Sequence, residues 1–204
     1  MLKGLGAPED VSTAVIDAAA ETVVAATNCT VTDVTTQSDG VAFTRLDNGL
    51  PLNLGILSGL NHRWVPIPDG INGYRLAVRG LPEGRYEIRA SGRMLGSLDA
   101  SKLAEGVNIA SMTADGWEPG GPWDAQSDIV KELVDARDRL ELGTFFRSRW
   151  LANHPDTGDL DAHTKEVEER LVDLQRATAK PYRFRFEIKI ERAVASEKGT
   201  EIGK

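Results

Sequence analysis

The residues that most often act as general bases in enzymes are histidines, and this chain has three: His62, His154 and His163. His62 lies in the loop-like stretch LNHRW, and the other two flank a polar connector. His154 and His163 do not have the i, i+4 spacing of a helical metal-binding pair, and no HExxH motif is present. We therefore predict a surface or packing role for each histidine, with no metal and no cofactor.

Nucleophile signatures are equally sparse. The chain has no GxSxG elbow, and its one cysteine, Cys29, lies in the strand-like stretch NCTVTDV with no base marked as its partner. Carboxylate pairs that could hydrolyse glycosides include Asp156 and Asp159. The glutamates of KEVEER alternate with Val167 and Leu171, which is typical of a solvated helix face. The sequence therefore predicts no catalytic residue.

Tryptophan is the more promising residue type. Of the four tryptophans, Trp117 and Trp123 lie in the Gly/Pro-rich stretch GWEPGGPW, where two rings could stand clear of the core and stack on a sugar. The commoner role of such rings is to fill the seam between a sheet and its helices, because a tryptophan buries a large apolar area. Core packing is therefore the favoured role, and the alternative is that Trp117 and Trp123 are ligand-binding residues with a glycan as ligand.

Composition narrows the classes of partner. The 204 residues carry a formal net charge of -7, which argues against nucleic acid or an anionic membrane as a partner. No apolar run approaches the ~18 residues of a membrane span. The start of the chain has no signal-peptide pattern, so the sequence leaves the localisation open. Hydrophobic residues make up 41% of the chain, enough for a packed core.

The secondary-structure elements that would position these residues differ between two parts of the chain. Residues 11–120 are rich in strand and turn signals, with Val41, Phe43 and Arg45 alternating along one strand. The stretch from Tyr74 to Leu98 predicts a three-stranded meander, followed by a short helix at 101–105 with Asp99 as its N-cap. A short helix is also indicated near 56–60.

After residue 120, the spacing of the apolar residues changes. Apolar residues in 121–180 follow a 3.6-residue repeat in two segments, which predicts an antiparallel helical pair. Residues 181–192 return to period 2 and predict a strand that rejoins the earlier sheet, and 193–204 form a polar, frayed tail. The predicted fold class is α+β: a mostly antiparallel, β-sandwich-like domain with a packed C-terminal helical pair and a final returning strand.

The first ten residues look like the end of a helix and a linker. Gly4, Gly6 and Pro8 are helix-ending residues, so Met1 to Leu5 would be the last turn of a helix whose earlier turns are missing. Such a remnant would expose Leu2, Leu5 and Val11 as an apolar patch. We expect this patch to contact a missing domain or to drive self-association.

Several stretches, taken in order, resemble a known family. They are LKGLGAP, VSTAVIDA, NCTVTDV, FTRLDNGLPL, YRLAVRGLPEGRYEIRASGRMLGSLDASKLAEGVNIA and ARDRLELGTFFRSRW. Their order is similar to the C-terminal region of bacterial GDSL/SGNH-type hydrolases of the kind found in planctomycetes. One departure is visible, because the family commonly has a histidine in the aromatic segment that here reads FFRSRW, from Phe145 to Trp150.

The resemblance implies an accessory role. The catalytic blocks of the family would lie upstream of Met1, and no position here matches them, so residues 1–10 would be the remnant of the catalytic domain's last helix. The expected function is a non-catalytic, stabilising region of an exported esterase that acts on acyl esters or acetylated carbohydrates, with glycan binding as a further expectation. The alternative is a stand-alone hydrolase with an unfamiliar site.

Overall fold

The computed structural model describes residues 9–52, 72–115, 120–151 and 158–191, apart from the side chains of residues 144–151, 158 and 161. These ranges contain nine strands and three helices. In chain order they are β1 (Asp10–Asp17), β2 (Thr22–Thr27), β3 (Cys29–Gln37), β4 (Gly40–Asp47), β5 (Gly73–Arg79), β6 (Arg85–Ala90), β7 (Arg93–Asp99), α1 (Ala100–Glu105), β8 (Val107–Asn108), α2 (Pro122–Leu151), α3 (Gly158–Thr178) and β9 (Arg183–Ile190).

The strands form two sheets that enclose one core. The four-stranded sheet has the order β2-β1-β5-β8, and the five-stranded sheet has the order β3-β4-β9-β6-β7. Neighbouring strands are antiparallel except β1 and β5, which run parallel. Ile16, Leu76 and Val78 enter the core from the first sheet, and Phe43, Ile88 and Phe186 from the second, all 0% exposed. The predicted α+β fold class is confirmed.

The final strand completes the larger sheet, as its period-2 pattern predicts. β9 lies between β4 and β6, with Ile188 opposite both Val41 and Ile88. The Phe43 and Phe186 rings stack with centroids 5.1 Å apart. A Cβ added to Gly40 would lie 1.9 Å from the carbonyl oxygen of Ile188, so β4 can begin this close to β9 only with glycine. Because β9 begins only at residue 183 of 204, most of the chain must be made before the core can close.

The predicted meander from Tyr74 to Leu98 is wrong. β5 belongs to the four-stranded sheet, whereas β6 and β7 belong to the other one, so the turn after Gly80 carries the chain across the core. Gly80 has φ +75°, and a Cβ there would approach Ala19 and Asp17 within 3.0 Å. Period-2 burial shows which face of a strand is inward, but it does not show which strand is the neighbour.

The β6–β7 hairpin and α1 follow the sequence more closely. Ser91 and Gly92 both have positive φ, +49° and +85°, as the tight two-residue turns between antiparallel strands require. The short helix α1 forms and ends at Gly106, where φ is +96°. Asp99 occupies the N-cap position, as predicted, but its side chain makes no capping hydrogen bond and instead lies 3.7 Å from Arg85.

The predicted helical pair is present as an antiparallel hairpin, α2 and α3. Its base is fastened by Gln126, whose Nε2 donates to the carbonyl oxygens of Thr178 (2.6 Å) and Lys180 (2.8 Å) at the end of α3. Ser127 Oγ donates to the Pro51 carbonyl oxygen at 2.8 Å and joins the hairpin to the sandwich. Farther out, Arg137 and Glu168 form an ion pair at 3.7 Å.

Several apolar residues of the hairpin's amphipathic pattern remain exposed. The exposed fractions of Ile129, Val134, Val167 and Leu174 are 53%, 42%, 48% and 52%, although all four belong to the predicted apolar repeat.

Among the described residues, no helix is both long and apolar enough to cross a membrane. The predicted helix near 56–60, the N-terminal patch residues Leu2 and Leu5, and the predicted tail at 193–204 lie outside the described residues. Val11 is partly buried against the core and is not part of an exposed patch.

Candidate functional site

The largest buried polar cluster of the described residues joins the two sheets. Arg45 and Asp47 are inward-facing residues of β4 in the five-stranded sheet, and Ser12 and Tyr74 come from β1 and β5 of the other sheet. Ser12, Arg45 and Tyr74 are 0% exposed and Asp47 is 5% exposed. A serine, a carboxylate, a guanidinium and a phenol in contact are residue types that enzymes use, so their geometry decides what they can do.

Every polar group of the cluster is engaged. Asp47 Oδ1 accepts from Ser12 Oγ at 2.6 Å and from Arg45 Nε at 2.9 Å, and its Oδ2 accepts from the Tyr74 hydroxyl. Arg45 Nη2 donates to Ser12 Oγ at 2.7 Å, and Nη1 donates to the Arg75 carbonyl oxygen at 3.0 Å. The guanidinium carbon lies 4.2 Å from the centre of the Tyr74 ring. The cluster therefore satisfies its own hydrogen bonds across the core.

The electrostatics hold the cluster in one protonation state. Burial raises the pKa of Tyr74, and the nearby Asp47 charge and hydrogen bond raise it further, against the opposing effect of Arg45. Burial also raises the pKa of Cys29, whose thiol donates to the Thr13 carbonyl oxygen at 3.3 Å. A raised pKa keeps the phenol and the thiol neutral near pH 7, so neither serves as an anionic nucleophile.

The cluster is built to hold sheets together rather than to react. Ser12 would need an accessible oxygen and a base that can take its proton and later release it. Its oxygen is instead sealed in the core between Arg45 and Asp47, and no histidine among the described residues contacts it. The described residues also contain no group of three or more histidine, cysteine, aspartate or glutamate side chains that could hold a metal ion.

A shallow cleft adjoins the cluster where the sandwich meets the end of the hairpin. Asp47, Asn48 and Leu50 form one wall, and Pro181 and Tyr182 form the other. Its enclosed volume is ≈ 10 Å³, which is room for about one water molecule. A sugar ring or an ester would not enter this cleft without rearrangement of its walls.

Trp123, one of the two candidate sugar-binding residues, is not exposed. Its ring is 0% exposed, and its Nε1 donates to the Ala110 carbonyl oxygen at 2.9 Å. The ring contacts Tyr74, Phe184 and Phe186, with centroids 4.8, 5.9 and 6.0 Å away. The alternative of an exposed Trp123 is therefore wrong, and the packing role describes this residue.

The physical reason is that the Gly-Gly-Pro stretch begins a helix. Pro122 is the first residue of α2, a position that suits proline because its missing N–H would have no helical partner. Trp123 then lies in the first turn and points inward. A Cβ on Gly121 would lie 2.3 Å from the Trp123 ring, so glycine is needed for the ring to pack there. The same residues that favour a loop also favour a helix start.

The other residues singled out by sequence are not brought together. Trp117, His62, His154 and Asp156 lie outside the described residues, and His163 is exposed on α3. Asp159 is also exposed on α3. Glu166 pairs with Arg170 in the same helix, and Glu168 pairs with Arg137, in keeping with the predicted solvated helix face.

Sequence reasoning missed the cluster itself. The alternation of Val41, Phe43 and Arg45 did place the arginine on the inward face, and Asp47 continues it. That signal, a charged residue at an inward strand position, indicates a buried ion pair. Its partners Ser12 and Tyr74 are 33 and 29 residues away from Arg45, so spacing alone does not identify them.

A second partly buried carboxylate, Asp124, lies in the first turn of α2. Its Oδ2 accepts from the Gly120 N–H at 2.8 Å, and Arg93 Nε donates to the Gly120 carbonyl oxygen at 2.5 Å. Burial raises the pKa of Asp124 to about 6, although the Gly120 hydrogen bond and the Arg93 charge lower it and Asp128 raises it slightly. This carboxylate helps to hold the chain that enters α2.

Comparisons with known proteins show the fold but not the family. No family model matches the chain, and no curated protein matches it. Among solved structures, the chain is similar to a gut microbial diltiazem-metabolizing enzyme, with a TM-score of 0.73 and 19% identity over 92% of this chain. The match covers 52% of the enzyme, so the chain spans about half the length of that structure.

We predict that Tyr74→Phe destabilises the protein more than Tyr86→Phe. Both rings are buried, but the Tyr74 hydroxyl donates to a carboxylate whereas the Tyr86 hydroxyl donates to the Pro82 carbonyl oxygen at 3.0 Å. Loss of the bond to Asp47 should lower the free energy of unfolding by about 1.5–3 kcal/mol, and loss of the bond to Pro82 by about 1 kcal/mol. Urea unfolding of both variants gives the comparison, and equal losses would count against the role assigned to Asp47.

The pKa of Asp124 predicts a pH dependence of stability. A carboxyl whose pKa is raised on folding binds its proton more tightly in the folded state, so stability falls as pH rises from about 4 to above 6. Asp124→Asn should remove this loss and raise the free energy of unfolding at pH 7 by on the order of 1 kcal/mol, with no gain near pH 4. Asp138→Asn, an exposed change on the same helix, is the control. A gain of the same size at both pH values would contradict the assignment.

Proposed function

We propose that this chain is a non-catalytic accessory region of a GDSL/SGNH-type esterase, which stabilises the catalytic part. The observation that carries the proposal is the sealed Ser12–Arg45–Asp47–Tyr74 cluster. The cluster lacks two things that acyl transfer needs, an accessible nucleophile and a base. Its polar groups instead form hydrogen bonds that join the two sheets. A region whose polar residues serve its own core is suited to support rather than to chemistry.

Two further observations support the proposal. The order of stretches from LKGLGAP to the FFRSRW segment resembles the C-terminal region of that family. The match also covers only 52% of the solved enzyme, and an accessory region would likewise be one part of a larger protein.

Glycan binding has less support as part of this proposal. The buried Trp123 cannot stack on a sugar, and Trp117 lies outside the described residues. The stand-alone hydrolase remains the competing class, and it differs from the accessory role in needing a reactive nucleophile. A reactive serine is therefore the property to measure.

We predict that the purified chain hydrolyses p-nitrophenyl acetate and butyrate no faster than a heat-inactivated sample. A fluorophosphonate probe should leave the intact mass of the chain unchanged, because none of the serines that the structure describes is both accessible and activated. A Ser12→Ala variant serves as the matched control and should behave identically. Turnover that the probe abolishes, together with a stoichiometric adduct, would make the chain a stand-alone hydrolase.

A second experiment measures whether the chain stabilises a catalytic domain. The chain is mixed with a separately produced GDSL/SGNH catalytic domain, and the melting temperature of that domain is followed. Because binding to the folded state stabilises it, the melting temperature of that domain should rise steadily, though less than proportionally, as more of the chain is added. No shift at any concentration would count against a stabilising role.

A further inference from the structure

Strand β2 is an open edge of the four-stranded sheet. It pairs with β1 on one side, and no strand of the described residues pairs with its other side. All six residues of Thr22–Thr27 are exposed, including Val23 at 37% and Val24 at 52%. Alternate residues of an edge strand direct their N–H and C=O groups away from the neighbouring strand. β2 therefore offers backbone groups with which another extended strand can pair.

The other three edges of the two sheets are less open. β8 has only two residues, and β7 has a charged residue at each end. On β3, the Asp33 carbonyl oxygen accepts from Arg185 Nη1 at 3.3 Å, and the Thr36 N–H donates to Glu21 Oε1 at 2.7 Å. Side chains thus occupy part of the β3 backbone that an approaching strand would need.

β2 lacks most of the features by which natural proteins block a sheet edge. Its sequence TVVAAT has no charge and no proline, and four of its six residues are Val or Thr, which favour strands. No side chain in the described part of the chain hydrogen-bonds to the backbone of residues 22–26. Because natural sequences usually protect an exposed edge, a strand this open indicates a partner strand.

The inward face of β2 is fixed by its pairing with β1. Ala14 and Ile16 of β1 are 0% exposed and point into the core, and their partners in β2 are Ala26 and Val23. Directly opposite residues of paired strands lie on the same face, so Val23 and Ala26 both point to the inner face. In a regular strand, two residues three positions apart would point to opposite faces.

A bulge at Val24 causes this departure. The pairing shifts by one residue there, so Val24 has no partner residue in β1. The two end residues of β2, Thr22 and Thr27, both pair with outward-facing residues of β1 and share the outer face. The residues on either side of the bulge therefore match in pairs, Val23 with Ala26 on the inner face and Thr22 with Thr27 on the outer face.

This pattern allows β2 to pair with β2 of a second copy. With a two-fold axis at the middle of the strand, each residue meets a residue of the antiparallel second strand: Thr22 meets Thr27, Val23 meets Ala26 and Val24 meets Ala25. Opposite residues must lie on the same face and have the same hydrogen-bonding state, and the pairs outside the bulge meet this condition. Without the bulge, an even-numbered residue could not lie opposite an odd-numbered one.

Side chains and charges also suit this register. Each valine meets an alanine, so a large side chain lies beside a small one, and each threonine meets a threonine, a pair that can hydrogen-bond. Glu21 falls opposite Asn28, so the carboxylates of the two copies lie at opposite ends of the contact. Glu21 and Asn28 have φ of 53° and 55°, so the strand ends at both residues and the contact is limited to six pairs.

We propose that β2 joins two copies of this chain by antiparallel strand pairing, so that two four-stranded sheets become one continuous eight-stranded sheet. The strand complements itself, whereas pairing with β3 would meet the irregular register around Asp33, where φ is 55°. A contact between identical surfaces also closes after two copies and does not continue into a fibre. This inference goes beyond the proposed function and does not depend on it.

The test is the oligomeric state of the full chain and of two matched variants. Val24→Lys places one cation from each copy beside the axis, and lysine is a residue that natural sheet edges use against pairing. Val167→Lys makes the same change on α3 at a valine of similar exposure, 48% against 52%. At high concentration, multi-angle light scattering should give twice the 22.1 kDa chain mass for the parent and Val167→Lys. Val24→Lys should give the single-chain mass and keep the parent's circular dichroism spectrum.

Disulfide formation between two single-cysteine variants tests the register and does not require Val24→Lys to fold. In a Cys29→Ser background, Val23→Cys mixed with Ala26→Cys should form an intermolecular disulfide under a mild oxidant. Opposite residues of antiparallel strands have Cα atoms about 4.5–5.5 Å apart, a distance that a disulfide spans. Each variant alone should stay largely unlinked, because its thiol faces no other thiol.

Several results would overturn the proposal. A parent that is monomeric at every concentration would do so, even if β2 binds a strand of another protein. A Val24→Lys variant that remains dimeric, or a Val167→Lys variant that becomes monomeric, would place the contact elsewhere. Single-cysteine variants that cross-link as readily alone as when mixed would contradict the register.

Discussion

The structure depends on burying one ion pair, Arg45 with Asp47, between two sheets. Removing two charges from water is costly, and their attraction compensates only when the remaining donors and acceptors are also satisfied. Here Ser12, Tyr74 and the Arg75 carbonyl supply those partners from the opposite sheet. The pair is therefore tolerated only if both sheets are in register. A one-residue slip of β1 would turn Ser12 away from the core and leave buried groups unpaired.

This constraint connects the sandwich to the start of the hairpin. The Tyr74 ring contacts both the Arg45 guanidinium, whose carbon lies 4.2 Å from the ring centre, and the Trp123 ring, whose centroid lies 4.8 Å away. Trp123 in turn lies in the first turn of α2, so the cation, the phenol and the indole form a continuous series of contacts from the polar cluster to the helix. Among the described residues, the hairpin leaves Ile129, Leu160, Val167 and Leu174 about half exposed.

Much of the fold could be predicted because it depends on local periodicity. Alternation in β4 and β9 identified their inward faces, and the 3.6-residue repeat identified both helices. The neighbour of each strand could not be predicted, since β5 looks the same whether it pairs with β6 or with β1. The Gly-Gly-Pro stretch before Trp123 is compatible with a loop and with a helix start, and only the hydrophobic space beside Tyr74 and Phe186 decides between them. The cluster depends on residues far apart in sequence, which no local pattern relates.

The central claim is that the buried pair joins the two sheets, and a double-mutant cycle on Arg45 and Asp47 tests it most directly. Arg45→Met, Asp47→Leu and the double variant are compared with the parent by urea unfolding. Either single change leaves an unpaired buried charge and should cost about 3–5 kcal/mol. The double change should cost less than the sum by at least about 2 kcal/mol, because it removes both charges together. Losses that simply add would contradict the account.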